Sequence, residues 1–385
     1  MAERKPRIGI VAGEASGDML GSLLIQALRQ YLPGAEFIGI GGPKMQALGM
    51  RTLFPMEKLA VRGYVEVLRH YREIVGIRNK LRSYFLAERP DVFVGVDAPD
   101  FNLDLECALK AGGIPTVHYV CPSIWAWRGE RIHKIRRAVA EVLALFPFEA
   151  PLLERAGIGA HYVGHPLADM LPEKADRAAA REQLRLPANI PVIALLPGSR
   201  QSEVRQMTDL FIRTAMLMAE KLPDAQFLVP LISRETRNLF EAAIYRNHAF
   251  ELPLTVLFGH AHDAMAAADI VLVASGTATL EAALLKRPMV ITYKMPKLSW
   301  AIMRRKKYLP YVGLPNILAG EFVVPEILQD DATPENLAQA LLNLLHDEVV
   351  KRRLEQRFLS LHLELRQNAG ERAAQALLPY LREAT

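Results

Sequence analysis

The sequence is poor in cysteine, with only Cys107 and Cys121 among its 385 residues. So few thiols, without the spacing of a metal site, exclude a disulfide-stabilised secreted scaffold and are typical of a reducing compartment. We interpret both cysteines as small core residues.

Long apolar runs are also missing. No stretch approaches the roughly 18 residues that a membrane-spanning helix requires. The apolar segment near the N-terminus, "IGIVAG", is too short for the core of a signal peptide. These absences predict a cytoplasmic protein, either dissolved or attached peripherally to a membrane.

Neither sign of charge dominates, since the net charge is only +5 and the pI is near 9.1. A mild positive excess favours phosphorylated ligands or anionic lipid surfaces, and we predict no nucleic-acid partner. Hydrophobic residues at 51% and charged residues at 23% are close to the averages for soluble globular proteins. Disordered and fibrous classes are therefore excluded.

Short β-rich apolar runs alternate with segments of helical spacing. The first series is "RIGIVA", "EFIGI", "DVFVGV", "TVHYV" and "EVLALF", and the second is "PVIALLPG", "QFLVPL", "LTVLF", "DIVLVASG" and "PMVITY". This alternation predicts an α/β fold with two doubly wound, Rossmann-like domains. We place these domains at residues 1–166 and 167–345. A helical tail, 346–385, is expected to pack toward the N-terminal domain or a partner subunit, and it could mediate a homodimer.

The segment "DVFVGVDAPDFN" ends an apolar strand at two carboxylates, Asp97 and Asp100. Ligands of parallel sheets bind outside the carboxyl ends of the strands. A carboxylate leaving an apolar strand is partly withdrawn from water, which suits a general base. We interpret Asp97 as that base, with helix capping as the alternative. For Asp100 we favour an N-cap of the next helix over a place on the acceptor side of the site.

The first loop, "IVAGEASGDMLGS", places Glu14, Ser16 and Asp18 between a strand and a helix. Its glycines lack the spacing of a dinucleotide fingerprint, and its two carboxylates would repel a pyrophosphate. We expect these residues to shape an acceptor site instead.

In the second domain, "PVIALLPGSRQSEV" sets Gly198, Ser199 and Arg200 between a strand and a helix. Small residues let backbone amides approach an anion, and the guanidinium adds further donors. A glycine turn with a surface arginine is the alternative.

A second turn, "DIVLVASGTATLEAALL", opens a helix with Ser275, Gly276 and Thr277. Their amides and hydroxyls would face a diphosphate, with Glu281 one turn further on to accept hydrogen bonds from ribose hydroxyls. An ordinary N-cap with an acidic first turn explains the spacing equally well.

Two segments are rich in both aromatic and basic residues. "VHYVCPSIWAWRGERIHKIRR" either fills the core or contacts a phosphate or acyl chain on the acceptor side. Residues 59–78 predict a basic amphipathic helix that either packs on the core or lies in an anionic membrane interface. The candidate membrane contacts are Val61, Tyr64, Val65, Leu68, Arg69 and Arg72.

Seven segments, in this order, resemble the signature segments of bacterial lipid-A-disaccharide synthases: "VAGEASGD", "GIGGPKMQALG", "DVFVGVDAPDFN", "HYVCPSIWAWR", "LLPGSR", "ASGTATLE" and "LPNILAG". The resemblance implies an inverting glycosyltransferase of the two-domain GT-B class. Such an enzyme would join UDP-2,3-diacylglucosamine to 2,3-diacylglucosamine 1-phosphate (lipid X). The products would be the β-1,6-linked tetraacyl disaccharide 1-phosphate and UDP.

The same resemblance implies that Asp97 deprotonates the acceptor 6-hydroxyl, and that Arg200, the "SGTATLE" residues and Asn316 bind UDP. No Asp-x-Asp pair stands at a strand end to hold a divalent ion, so we predict catalysis without a metal or other cofactor. A UDP-sugar 2-epimerase of the same architecture and a non-catalytic peripheral membrane protein that binds UDP-lipids are the alternatives.

Overall fold

A computed structural model describes residues 5–59, 64–306 and 308–382, without the side chains of 64–70, 298, 302, 304–306 and 382. The chain forms two compact units. The first comprises Met1–Asp169 together with Glu364–Thr385, and the second comprises Met170–Leu363. The first unit is therefore discontinuous in sequence.

The first unit is built on a seven-stranded parallel sheet with the order β3-β2-β1-β4-β5-β6-β7. Its strands are β1 (Arg7–Ala12), β2 (Glu36–Ile40), β3 (Arg51–Thr52), β4 (Val92–Val96), β5 (Thr116–Tyr119), β6 (Glu141–Ala144) and β7 (Gly159–Tyr162). The helices up to the boundary are α1 (Ala15–Tyr31), α2 (Pro43–Ala47), α3 (Tyr64–Glu88), α4 (Pro99–Ala111), α5 (Arg131–Ala138), α6 (Glu149–Arg155) and α7 (Pro166–Met170).

The second unit has a six-stranded parallel sheet with the order β10-β9-β8-β11-β12-β13. Its strands are β8 (Val192–Leu196), β9 (Gln226–Leu231), β10 (Leu254–Phe258), β11 (Ile270–Ala274), β12 (Met289–Tyr293) and β13 (Glu326–Leu328). The helices are α8 (Arg177–Gln183), α9 (Gln201–Lys221), α10 (Arg234–Arg246), α11 (Ala261–Ala267), α12 (Thr277–Leu284), α13 (Lys297–Lys306), α14 (Leu314–Ala319), α15 (Pro334–His346) and α16 (Glu348–Leu365). The last helix, α17 (Ala369–Arg382), returns to the first unit.

The prediction of two parallel α/β sheets is confirmed. The central strands β4, β8 and β11 are buried along their whole length, which is why they appear in the sequence as unbroken apolar runs. The sequence does not predict β3, β7 and β13. These strands are short and partly exposed, so they lack such a run.

In each sheet the strand order reverses once, between β1 and β4 and between β8 and β11. We call these two places the switch points. Their strands end side by side, since Ala12 pairs with Val96 and Leu196 pairs with Val273. The loops that leave the two strands diverge, and the crevice between them is where open parallel sheets bind ligands.

The C-terminal segment is divided between the units. Most of α16 lies in the second unit, whereas α17 packs Ala373, Leu377 and Leu381 into the apolar core that contains Leu24 and Leu28 of α1. The carboxylate of Asp169 accepts hydrogen bonds from the first backbone amides of this return, at 2.8 and 2.7 Å. The residues 346–385, treated as one tail from the sequence, thus contribute to two cores.

Candidate active site

Asp97 lies directly after β4, at the switch point of the first sheet. Both Asp97 and Ala98 have a left-handed backbone, with φ of 51° and 45°, which is uncommon for residues other than glycine. The Asp97 amide donates to the Tyr119 carbonyl (2.8 Å), and the Asn102 side chain donates to the Asp97 carbonyl (2.8 Å). These bonds fix the turn, and the carboxylate is partly exposed beyond the strand.

The loop after β1 lies against the Asp97 turn. A Cβ added to Gly13 would stand 3.0 Å from the Cβ of Ala98, so the two loops touch. Glu14 is the partly exposed N-cap residue of α1, and Ser16 is exposed in its first turn. Both side chains are therefore at the first switch point, where an acceptor surface was expected.

Asp18 has a different position from its neighbours. It is only 3% exposed, and its two oxygens accept from the backbone amides of Lys44 and Met45, each at 3.0 Å. Those amides belong to the first turn of α2, whose orphan donors the carboxylate satisfies. Asp18 therefore holds α2 in place and contributes no surface for a ligand.

The N-cap interpretation of Asp100 is wrong. Ala98 is the N-cap residue of α4, and Asp100 lies in the first turn with its side chain 80% exposed. Its carboxylate pairs with Arg131, and Arg128 is 3.9 Å away. Asp100 thus lies at the surface near Asp97. Its carboxylate is already paired with Arg131 and is close to Arg128.

The two tryptophans of the aromatic segment separate. The Trp125 indole donates to Glu149 (2.9 Å) and packs edge-on against Phe148, whereas Trp127 is 38% exposed beneath the Arg128 guanidinium. Burial raises the pKa of Glu149 to about 7, although Trp125 and two backbone amides stabilise its anion. No sequence pattern indicates Glu149, because its partners come together only after folding.

In the second unit, Arg200 is the N-cap residue of α9, at the end of the loop that follows β8. Glu203, which the sequence analysis did not identify, accepts from the amides of Ser199 and Arg200 (3.2 Å each) and lies 3.3 Å from the Arg200 guanidinium. Gly198 has a φ of 126°, and a Cβ there would meet the Cβ of Glu203 at 2.7 Å. Glu203 could have been predicted from the sequence, because an acidic residue three positions after an N-cap is a capping signal.

The turn after β11 is more open. Gly276 is the exposed N-cap residue of α12 with a φ of 156°, and Thr277 beside it is also exposed. Ser275 instead donates its hydroxyl to the Val312 carbonyl at 3.0 Å. Because β8 and β11 are neighbours, this helix end and Arg200 lie at the same switch point, and together they offer positive charge and backbone donors to an anion.

Asn316 is fully buried. Its amide group donates to the Val324 carbonyl (3.0 Å) and Glu326 (2.8 Å) and accepts from the amides of Val323 (2.8 Å) and Val324 (3.0 Å). Glu326 also accepts from the amides of residues 312 and 313 at 2.9 and 2.8 Å. Asn316 and Glu326 therefore hold the loop to which Ser275 is bonded, rather than presenting an amide to a ligand.

Glu281 is partly exposed on α12, and His262 of α11 lies 3.7 Å from its carboxylate. The nearby Glu281 carboxylate raises the pKa of His262 against the opposing effect of burial. His262 is a further residue that spacing did not reveal, since it is 19 positions away in the sequence.

Only part of the proposed membrane helix can be placed. Val61 lies outside the described residues, and so do the side chains of Tyr64, Val65, Leu68 and Arg69. Arg72 is exposed on α3, while the later residues Ile77, Leu81 and Phe85 pack in the core. No helix in the described part of the chain has the length and hydropathy to cross a bilayer.

The cysteines match their interpretation, since both are free thiols associated with one apolar cluster, Cys121 within it and Cys107 at its edge. Within the described ranges, no three His, Cys, Asp or Glu side chains converge on a point that could hold a metal ion.

Comparisons with known proteins identify the family. The model of the lipid-A-disaccharide synthetase family matches residues 8–377. The lipid-A-disaccharide synthase of Methylobacillus flagellatus is 60% identical over 377 residues, which cover 98% of this chain and 100% of that protein.

Solved structures agree in fold. HepE of Anabaena in complex with UDP and glucose has a TM-score of 0.59 at 15% identity, covering 98% of this chain and 100% of that one. The UDP-GlcNAc 2-epimerase of Neisseria meningitidis bound to UDP-GlcNAc has a TM-score of 0.60 at 11% identity, with the same two coverages. At such identities the likeness establishes the fold alone, and that fold is the expected GT-B class.

Proposed function

The chain belongs to the lipid-A-disaccharide synthase family, whose members are glycosyltransferases of lipid A biosynthesis, and on that premise we propose its substrates and the roles of its residues. The donor is UDP-2,3-diacylglucosamine and the acceptor is 2,3-diacylglucosamine 1-phosphate. Family membership does not favour a UDP-sugar 2-epimerase or a non-catalytic UDP-lipid-binding protein.

The second unit binds the donor. The Arg200 guanidinium and the α12 amides that begin at Gly276 and Thr277 stabilise the diphosphate as it takes up negative charge. Glu281 accepts hydrogen bonds from the ribose hydroxyls. Asn316 supports this site from the interior, because it holds the loop to which Ser275 is bonded.

The first unit binds the acceptor and carries the base. The Asp97 carboxylate takes the proton of the acceptor 6-hydroxyl while that oxygen bonds to C1 of the donor sugar. The bond from C1 to the diphosphate breaks on the opposite face, so UDP leaves with the bonding electrons and the configuration inverts. Glu14 and Ser16 lie beside Asp97 and contact the acceptor.

The observation that best supports this function is the partly exposed carboxylate of Asp97 on a fixed turn at the first switch point. The test is a thin-layer assay with radiolabelled acceptor, run with and without UDP-diacylglucosamine. We expect a labelled disaccharide only when both are present. Loss of the donor without any acceptor would support an epimerase, and a single-turnover assay without product would support a binding protein.

In this proposal catalysis needs no metal, because the Arg200 guanidinium and the α12 amides stabilise the negative charge of the leaving diphosphate as a cation would. Turnover should therefore be the same with and without a chelator. Activity that the chelator abolishes and magnesium restores would refute this part.

We also propose that the protein is cytoplasmic and docks on the anionic inner face of the inner membrane through α3, because both substrates carry acyl chains. The exposed Arg72 and the net charge of +5 support this docking. Leu68→Ser should reduce flotation with anionic vesicles. Phe250→Ser, which alters an apolar residue 59% exposed in the second unit, is the matched control. Flotation indifferent to anionic lipid and to Leu68→Ser would argue against docking.

A further inference from the structure

Three buried polar side chains lie behind the Asp97 turn. Asn102 and Glu106 are one helical turn apart on α4, and His118 faces them from β5. All three are fully buried, and the His118 Nδ1 is 2.8 Å from a Glu106 carboxylate oxygen. None of the three takes part in the proton transfer proposed for Asp97.

Gly95 makes room for this group in the middle of β4. A Cβ at that position would stand 2.1 Å from the Glu106 Oε1 and 2.9 Å from the Cβ of Asn102. Glycine inside a strand weakens it and often marks a close approach of another group. Here the group that approaches is the carboxyl of Glu106. A glycine that weakens the strand is therefore present where that side chain needs room.

The group is also costly. Asn102 Oδ1, Glu106 Oε2 and His118 Nε2 are buried without a hydrogen-bond partner among the described residues. Buried polar atoms without partners destabilise the folded state, and apolar side chains of similar volume would usually fill such a space at lower cost. Stability alone therefore does not explain these three residues.

Two physical links connect the group to Asp97. The Asn102 amide donates to the Asp97 carbonyl (2.8 Å) and also reaches the carbonyls of Val11 (3.2 Å) and Val96 (3.4 Å), so it ties together both strands of the switch point. The second link is the Glu106–His118 hydrogen bond, which crosses β4 at Gly95, two residues before Asp97, and fixes α4 against β5.

The charge of His118 is set by its surroundings. Burial lowers its pKa, but the Glu106 charge and hydrogen bond, with a smaller contribution from Asp97, outweigh burial and leave that pKa above its ordinary value. The charged groups that face the pair are Asp97 from the end of β4 and Lys134 from α5. Burial raises the pKa of Glu106 as well, so both side chains favour holding the proton of their hydrogen bond.

We propose that Asn102, Glu106 and His118 are positioning residues for Asp97. Asn102 holds the left-handed turn, and the Glu106–His118 hydrogen bond holds α4, and with it Asn102, against β5. This inference rests on the proposed role of Asp97 as the base.

The first test compares Glu106→Leu, which removes the hydrogen bond to His118, with Glu106→Gln, which preserves shape and can keep that bond. We expect Glu106→Leu to lower kcat roughly 10-fold with the KM for the donor unchanged, because α4 and Asn102 are released. Glu106→Gln should restore most of kcat. Equal kcat for Glu106→Leu and the unaltered protein, or no restoration by Glu106→Gln, overturns the inference.

The second test is Asn102→Ala, which should lower kcat with the KM for the donor unchanged, because it releases the turn and leaves the Glu106–His118 hydrogen bond in place. Thr116→Val is the matched control, since Thr116 is fully buried on the same face of β5 and donates to the Ala138 carbonyl at 2.7 Å. It should reduce the melting temperature but leave kcat unchanged.

A double-mutant cycle separates this inference from the proposed function. If the group acts through Asp97, Glu106→Leu should have no further effect on kcat in an Asp97→Asn background. If Asp97→Asn alone keeps full turnover, the proposed base is wrong. If Asp97→Asn is impaired and Glu106→Leu lowers kcat equally in both backgrounds, Asp97 stands and the positioning role fails.

Discussion

The two switch points occupy the same place in two similar sheets, yet different residue types adopt the positive φ angles in their turns. In the first unit, Asp97 and Ala98 adopt a left-handed backbone without being glycine, and Asn102 holds them from the interior. In the second unit, Gly198 and Gly276 take up the positive φ angles, and the turn after β11 is exposed. A turn that must direct one side chain tolerates strain, whereas a turn that presents amides to an anion uses glycine.

The largest effect should follow removal of the directed side chain. Asp97→Ala should lower turnover by ~10² to 10⁴, the usual range for loss of a general base. UDP affinity, measured by calorimetry, should be nearly unchanged, because the proposed UDP site is at the turn of the second unit. Asp100→Ala, an exposed neighbour, is the control and should retain most activity. Full turnover in Asp97→Ala would mean that another group is the base.

The second unit should be most sensitive at a residue that supports its turn. Asn316→Ala removes four interior hydrogen bonds and should lower the free energy of unfolding by about 2 to 4 kcal/mol. UDP binding should weaken with it, because the loop beside Ser275 is released. Denaturant unfolding with and without UDP measures both effects, and the exposed Asn343→Ala is the control. Unchanged stability would contradict the structural role.

Acid should weaken the first unit through His165. Burial lowers the pKa of His165 to about 4, and its Nδ1 accepts from the Leu167 amide (3.2 Å). Because the folded-state pKa lies below the unfolded value, the stabilisation is complete above about pH 6.5 and is lost as the pH falls toward 4. At about 1.4 kcal/mol for each tenfold change in proton affinity, the loss reaches roughly 3 kcal/mol.

His165→Phe keeps the ring that stacks on Phe146 but removes the titration. Its unfolding free energy should depend less on pH between 4 and 6.5 than that of the unaltered protein. The exposed His133→Phe should leave the pH dependence as it is. Identical curves for all three proteins would show that His165 does not titrate in this range.

The smallest of these effects is expected at the exposed part of the donor turn. Arg200→Ala should weaken UDP binding roughly 10-fold, as expected for one charge-assisted contact. Arg237→Ala, on an exposed α10 arginine paired with Glu241, is the control. A calorimetric titration that does not distinguish Arg200→Ala from the unaltered protein would remove Arg200 from the donor site.

The sequence predicts those features of the structure that depend on residues close together along the chain. Buried strands appear as apolar runs, and parallel topology then brings the Asp97 and Arg200 turns to the carboxyl ends of their sheets. Glu203 could also have been found, because an acidic residue at the third helical position after a turn is a capping signal.

Other features depend on contacts that only folding makes. Asp18 looks like part of an exposed loop, but its partners are amides 26 and 27 positions away. Asn316 lies in a segment that resembles the family, yet no pattern indicates that its amide is turned inward. Glu106 and His118 are a lone acid and a lone histidine, which carry no signal until α4 and β5 bring them together.

The return of α17 to the first unit affects how the protein is made. Leu24 and Leu28 of α1 are synthesised well before α17, and that helix covers their apolar faces. The first unit is thus completed only after the residues of the second unit have been synthesised, and a premature stop before α17 would damage the unit that carries Asp97.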